Sequence, residues 1–280
     1  MTMADTTQFL SRREKIIANV AVILLAVMTL LPFLWFVIMS FKPVDQIFAG
    51  VSGLFFTPTL ENYAGLVNER FVRSIWNSIV TSTVSTGLAL VIGVPGAYAL
   101  SRAGLKRDRT MSLLILASRM APPVAFAIPY FLVYRTLGLL DTQLGLIIVY
   151  LTFNLALVVW LMRNFFDATP RELEEAAWID GASLWGTFVR IVLPMSIPAV
   201  LTTGMLCFLY SWNDFFFALT LTRNSAMTAP VEVVNFMNYE GWEWGKIAAG
   251  GTLIMAPVLV FSLLMRKYLV AGMTAGAVKG

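Results

Sequence analysis

Residues 142–183 read TQLGLIIVYLTFNLALVVWLMRNFFDATPRELEEAAWIDGAS. The first half is an uncharged run of 21 residues between Asp141 and Arg163. A helix needs about 20 mostly apolar residues to cross a hydrocarbon layer of about 30 Å, so this run predicts a membrane span. The second half changes character at once, with five acidic residues within 163–190. Thr169, Pro170 and Glu172 have the spacing of a capping box with proline at the first helical position. Glu172, Glu174 and Glu175 suit the positive end of a helix dipole, and Gly181 is a natural stop. The pattern predicts a helix over 170–180, with Leu173, Ala176 and Ala177 on one face. A second helical stretch over 184–193 leads into Pro194.

Outward from this stretch, five more long runs lack charge or nearly so. They hold 26 residues between Lys15 and Lys42, 28 between Arg73 and Arg102, 23 between Arg190 and Asp214, and 19 between Lys246 and Arg266. The 25 residues between Arg109 and Arg135 are broken once, by Arg119. Six spans are therefore expected. The 280-residue chain is 58% hydrophobic and 13% charged, with a mean hydropathy of +0.77. Soluble domains carry about 25% charged residues, so the composition argues against a soluble enzyme or nucleic-acid-binding domain. The run at 16–41 exceeds the 7–15 residues of a signal-peptide core and is read as an uncleaved first span.

Orientation follows from the placement of Lys and Arg. The N-terminal segment, the second and fourth loops and the C-terminal segment hold 13 basic residues, against six in the alternate loops. This places both termini in the cytoplasm. The expected organisation is a cytoplasmic tail at 1–16, a first transmembrane helix at 17–40, a transmembrane core at 72–266 with a cytoplasmic loop at 163–190, and a cytoplasmic tail at 267–280. The net charge of +4 and pI near 9.3 fit basic loops at a membrane better than a nucleic-acid surface.

The chain has no His and one Cys, Cys207. An internal disulfide is impossible, and no metal site is expected. There is no GxxxxGK[ST] phosphate loop. An enzyme is not expected, since general acid/base chemistry lacks its commonest residue and no cluster of intramembrane carboxylates replaces it.

Taken by itself, the loop at 163–190 is compatible with a helical hairpin that merely joins two spans. Its spacing carries more. Glu175-Ala176-Ala177, then Gly181, then Ile191-Val192-Leu193-Pro194 resembles the "EAA" signature of binding-protein-dependent ABC transporter permeases. Asp180-Gly181-Ala182 follows the form usual in the carbohydrate group. Gly138-Leu139-Leu140-Asp141-Thr142, Trp212-Asn213-Asp214 and the ending from Gly272 to Gly280 are similar to segments of the smaller maltose-type permease subunit. The resemblance runs from about residue 20 to the end of the chain.

The resemblance implies an all-α, multi-pass protein of a bacterial inner membrane, a type I ABC importer permease of six helices. It implies that 170–180 is a coupling helix in which Glu174, Glu175, Ala176, Ala177, Asp180, Gly181 and Ala182 form the ATPase-coupling segment. Glu175 would contact the ATPase, the alanine pair would permit close packing, and Gly181 would end the helix. The implied partners are a second homologous permease, two ATPase subunits, an extracytoplasmic solute-binding protein and the lipid bilayer, with no nucleic acid. ATP and Mg would be held by the ATPase subunits, and no cofactor by this chain. The implied cargo is a sugar, polyol or glycoside. An anionic derivative, such as a sugar sulfonate or glycerol phosphate, is the alternative.

That alternative arises from Arg119. It lies ten positions beyond Arg109, about 15 Å along a helix and so near the bilayer midplane. A central Arg costs about 2.5–3.5 kcal/mol on insertion scales and faces the bundle interior or water. Pro122, Pro123 and Pro129 predict a broken helix just beyond it. Arg119 therefore reads either as a substrate contact or as a structural partner of freed carbonyls. Tyr150, Asn154 and Tyr210 are polar side chains within spans, and either bridge helices or line the pathway. Tyr239, Trp242 and Trp244, in the fifth loop, either anchor at headgroup depth or meet the binding protein. A stand-alone secondary transporter would predict inverted repeats and buried acidic ion sites. The sequence shows neither, and such a transporter leaves the EAA spacing without purpose.

Overall fold

A computed structural model of the chain describes residues 11–50, 53, 55–104, 110–111, 114–115, 117, 120–238 and 241–275. Among these residues, five helices are long and apolar enough to cross a membrane, and a shorter apolar helix, α4, spans Pro123–Leu137. Four of the five are built on the uncharged runs in the sequence, with charges confined to their first or last turns or beyond the run. These are α1 (Arg12–Ser40), α3 (Glu69–Arg102), α5 (Gln143–Ala168) and α11 (Trp244–Ala275). The fifth, Leu184–Trp212, is composite. It begins as α7 (Leu184–Thr187), passes through one π turn (Phe188–Val192) and continues as α8 (Leu193–Trp212). The third span expected from sequence is interrupted where the prolines predict. Pro122 is extended, with ψ 134°, and α4 starts at Pro123. Proline lacks an N–H to extend a helix backward, so the break is local in origin.

The chain forms two compact units. The first contains α1, a 3-10 turn at Val44–Gln46, α2 (Glu61–Leu66) and the segment 236–253. Here the end of α1 is satisfied by a side chain far along the sequence. Asn62 Nδ2 donates to the carbonyls of Ser40 (3.0 Å) and Lys42 (2.8 Å). Carbonyls at a helix C-terminus lack intrahelical partners, and Asn62 supplies the missing donor. Ser40 Oγ also lies 2.7 Å from Tyr63 Oη. In this unit β1 (Met237–Asn238) pairs antiparallel with β2 (Gly241–Trp242).

The second unit is built on α3, α5 and α8. Asn68 caps α3, accepting from Phe71 N–H at 2.9 Å. One face of α3 is a buried stripe of small residues that includes Ser74, Ser78, Thr81, Ser85, Ala89, Gly93 and Ala97. Small residues at three- and four-residue spacing let helix backbones approach closely in a membrane. Gly93 shows how closely, because a Cβ there would lie 2.7 Å from Val158 Cγ1 of α5. The core around it holds Leu157, Val158, Met162, Phe166, Phe188, Val192 and Cys207. Cys207 is fully buried.

The fifth loop is more structured than the sequence analysis anticipates. It contains α9 (Phe216–Leu221) and α10 (Ala229–Val234). Helices of six residues are too short for a readable hydrophobic period. Their packing comes from elsewhere: Phe217, Ala218 and Leu221 join Tyr134, Leu146, Val149 and Tyr150 in a second apolar cluster.

The segment 138–142 turns α4 into α5. Gly138 ends α4 with φ 67°, in the left-handed region that glycine adopts freely. Asp141 is also left-handed, at φ 55°, which costs energy for a residue with a Cβ. Its carboxylate offsets that cost. Oδ1 accepts the backbone N–H of Arg223, Asn224, Ser225 and Ala226 at 3.0–3.1 Å.

Candidate functional site

A cavity of about 460 Å³ opens in the second unit. Ala121 and Pro123, before and at the start of α4, are among its lining residues. Its main wall is α5, which presents Tyr150, Phe153, Asn154, Leu157 and Trp160. These positions recur at helical spacing, so one face of α5 lines the space. Tyr210, Ser211, Asp214 and Phe217 close the other side.

The polar groups of this cavity are ordered by one another. Tyr150 Oη donates to Asp214 Oδ2 at 3.0 Å, and Ala218 N–H donates to the same oxygen at 3.1 Å. Asn154 Nδ2 donates to Ser211 Oγ at 2.8 Å, and Ser85 Oγ of α3 donates to that hydroxyl at 3.4 Å. Tyr150 and Asn154 are almost fully buried, whereas Tyr210 is 59% and Trp160 38% exposed. The cavity thus combines fixed amide, hydroxyl and carboxylate groups with open aromatic faces. That chemistry suits a hydroxyl-bearing ring, with polar groups meeting its edge and aromatics its C–H faces.

Of the pathway residues expected from sequence, Tyr150, Asn154 and Tyr210 meet in this cavity. Asn154 also bonds across to Ser211 of α8, and Tyr150 to Asp214 just beyond that helix. Arg119 lies outside the described residues. Trp160, Ser211 and Asp214 line the cavity without having been singled out for it. Trp160 sits ten residues beyond Tyr150 on the α5 face, a spacing that could have marked it.

The acidic loop folds as α6 (Glu172–Ile179), two turns in place of three. The expected capping box does not form. Thr169 Oγ1 turns back to donate to Phe165 O at 3.0 Å, closing α5, and α6 begins after Arg171 with no side-chain cap. A threonine hydroxyl can serve either helix, and here α5 holds it. Gly181 is the stop, with φ 86°. Its N–H bonds to Trp178 O at 3.0 Å, and Ala182 N–H to Ala177 O at 2.9 Å. Ser183 then caps α7, accepting from Gly186 N–H at 3.1 Å.

The expected coupling residues divide between two faces. Glu175, Ala176, Asp180 and Gly181 are exposed, Ala182 is half-buried, and Ala177 is buried. Glu174, by contrast, is 1% exposed and turned into the protein. Its Oε1 accepts from Arg102 Nη2 (2.6 Å) and Nε (2.8 Å), and its Oε2 from Tyr98 Oη (2.7 Å).

Of the fifth-loop aromatics, Trp242 is 53% exposed. Its ring centroid lies 4.8 Å from that of Trp244, which also meets Phe48 edge-on at 6.1 Å. Tyr239 lies outside the described residues. Among the described residues, no group of His, Cys, Asp and Glu is arranged to hold a metal ion.

Residues 89–275 match the family described as "Binding-protein-dependent transport system inner membrane component", and the chain belongs to that family. It is a multi-pass membrane protein of the transport component, not the catalytic subunit. Over 90% of its length it is 37% identical to the trehalose transport system permease protein SugB of Mycobacterium tuberculosis, covering 93% of that protein. It is 34% identical to the trehalose/maltose transport system permease protein MalG of Thermococcus litoralis, over 95% of this chain and 98% of that one. It is 32% identical to the sulfoquinovosyl glycerol transport system permease protein SmoH of Agrobacterium fabrum, over 93% of each. Among solved structures, a chain of a bacterial ABC transporter that imports the acidic polysaccharide alginate superposes with a TM-score of 0.74 at 28% identity. The match covers 93% of this chain and 99% of that one. The methionine ABC transporter MetNI, at 18% identity and a TM-score of 0.60 over 72% of this chain and 96% of its own, shares the fold.

Proposed function

We propose that this chain is one permease subunit of an ATP-driven importer for a neutral sugar, polyol or glycoside. It pairs with a second, homologous permease to form the pathway. Two ATPase subunits bind Mg and ATP on the cytoplasmic side, and an extracytoplasmic binding protein delivers the solute. The chain crosses a bacterial inner membrane six times with both termini inside, and 163–190 is its cytoplasmic coupling loop. The observation that carries this reading is α6, a short helix held between two spans with Glu175, Ala176, Asp180 and Gly181 exposed. Closure of the ATPase dimer moves α6 as a rigid body, and the bundle rocks between two states.

The sugar class rests on the relatives named for trehalose and maltose transport and on the aromatic and hydroxyl lining of the cavity. Tyr150, Asn154 and Tyr210 are the solute contacts. Trp242 and Trp244, with Tyr239, meet the binding protein. A second reading, an anionic sugar derivative, is favoured by the relative named for sulfoquinovosyl glycerol and by Arg119, two positions before the cavity-lining Ala121.

The test is to assemble the chain with the permease, ATPase and binding proteins encoded beside it. ATPase stimulation is then measured for binding protein loaded with neutral or anionic sugars. Stimulation by the neutral class supports the first reading, and by the anionic class the second. Replacing Arg119 with Met abolishes uptake only on the second. A cysteine in place of Ala176 is expected to crosslink to the ATPase subunit; its failure to do so overturns the docking role of α6.

A further inference from the structure

We infer that Arg102 is a positioning residue for transport: its buried pairing with Glu174 ties α6 to α3, so that α6 delivers its displacement to a membrane span. This rests on the proposal that α6 docks on the ATPase.

The chain around α6 is a weak transmitter by itself. Residues 169–171 alone join it to α5, and residues 180–183 join it to α7. Short exposed connections bend when one end is pushed. The lateral tie to α3 is of another kind. Arg102 gives two donors to one oxygen of Glu174, and Tyr98 gives its hydroxyl to the other. The Arg102 side chain is 12% exposed and that of Glu174 1%. Charge-assisted bonds of this geometry are short and directional. Separating the partners would strand a charge out of water, so the pair moves as one.

The tie is braced on every side. Arg102 Nη1 donates to Ser101 Oγ at 3.0 Å, and Arg171 Nη2 donates to Ser101 O at 3.3 Å. The Tyr98 ring sits 5.5 Å from Phe166 of α5 and 4.9 Å from Phe188 of the π turn. One cluster therefore joins α3, α5, α6 and the start of the α7–α8 helix. Neighbouring Glu175 faces outward. Consecutive glutamates thus divide the work: one for the docking face, one for the link to the membrane.

The test compares the assembled importer carrying the wild-type chain, Arg102→Lys, or the double variant Arg102→Met with Glu174→Met. Replacing a buried ion pair by apolar side chains of similar size usually preserves folding, which keeps the double variant informative. The readout is ATP hydrolysed per solute imported, which a merely structural role would not move. The double variant is expected to raise that ratio roughly threefold or more, with Arg102→Lys intermediate. A wild-type ratio in the double variant overturns the inference. The Ala176→Cys crosslink, run in parallel, separates the two failures. Crosslinking together with a wild-type ratio leaves α6 docking intact and removes only the role of Arg102. Absence of crosslinking overturns the docking role and this inference with it.

Discussion

Tyr150 Oη lies 3.0 Å from Asp214 Oδ2, joining α5 to the segment that follows α8. Tyr150→Phe keeps the ring and deletes the donor. The Asp214 oxygen then keeps its bond from Ala218 N–H. Losing one partner of a buried polar pair costs about 1–3 kcal/mol. Thermal unfolding in detergent is expected to shift downward accordingly. An unchanged transition temperature would show that the pair contributes nothing.

The proposed solute role of the cavity aromatics can be tested apart from stability, because Trp160 and Tyr210 are partly exposed. Tyr210→Ala is expected to raise the apparent KM for uptake by about tenfold, the scale of one lost aromatic contact. Binding-protein affinity, measured separately, should not change. A KM equal to wild type would remove Tyr210 from the pathway.

Gly93 and Gly87 lie on the same helix and predict opposite results. A Cβ at Gly93 would press on Val158 Cγ1 at 2.7 Å, whereas nothing lies within 4 Å of one at Gly87. Gly93→Ala should cost about 1–3 kcal/mol through overpacking of α3 on α5. Gly87→Ala should be neutral or gain up to about 1 kcal/mol in helix propensity. Melting temperatures of the two variants in one detergent decide the matter.

Asp141 gives the segment 223–226 a pH dependence. Burial raises its carboxyl, but the N–H groups of residues 223–226 outweigh burial and hold it below the ordinary value of 3.8. The folded form therefore binds its proton less readily than the unfolded form. The stabilisation is complete above 3.8 and is lost as pH falls through the lowered folded value. Proteolysis near Arg223 should accelerate as pH is lowered below 3.8 with an acid-active protease. In Asp141→Asn that acid-dependent step should vanish.

Much of this protein was legible in the sequence, and the reasons are local. The spans were visible because about 20 uncharged residues have one favourable place in a bilayer. The break before α4 was visible because proline acts on its own backbone and the residue before it. Gly181 was visible as a stop because few other residues adopt its φ of 86° cheaply. The capping box failed for a reason that spacing does not contain. Thr169 had two helices to serve and closed α5. The short helices α9 and α10 were missed because packing, not period, holds them.

The sequence by itself determined the membrane character, the places where helices stop and the presence of an acidic helix between two spans. These follow from hydrophobicity, proline and glycine, which act within a few residues. Only the tertiary structure decided which carboxylate of that helix faces inward. Glu174 and Glu175 are adjacent and chemically alike, and their order along the chain carries no direction. A rotation of about 100° per helical residue separates them. Arg102, 72 positions away in sequence, captures the first and leaves the second to solvent.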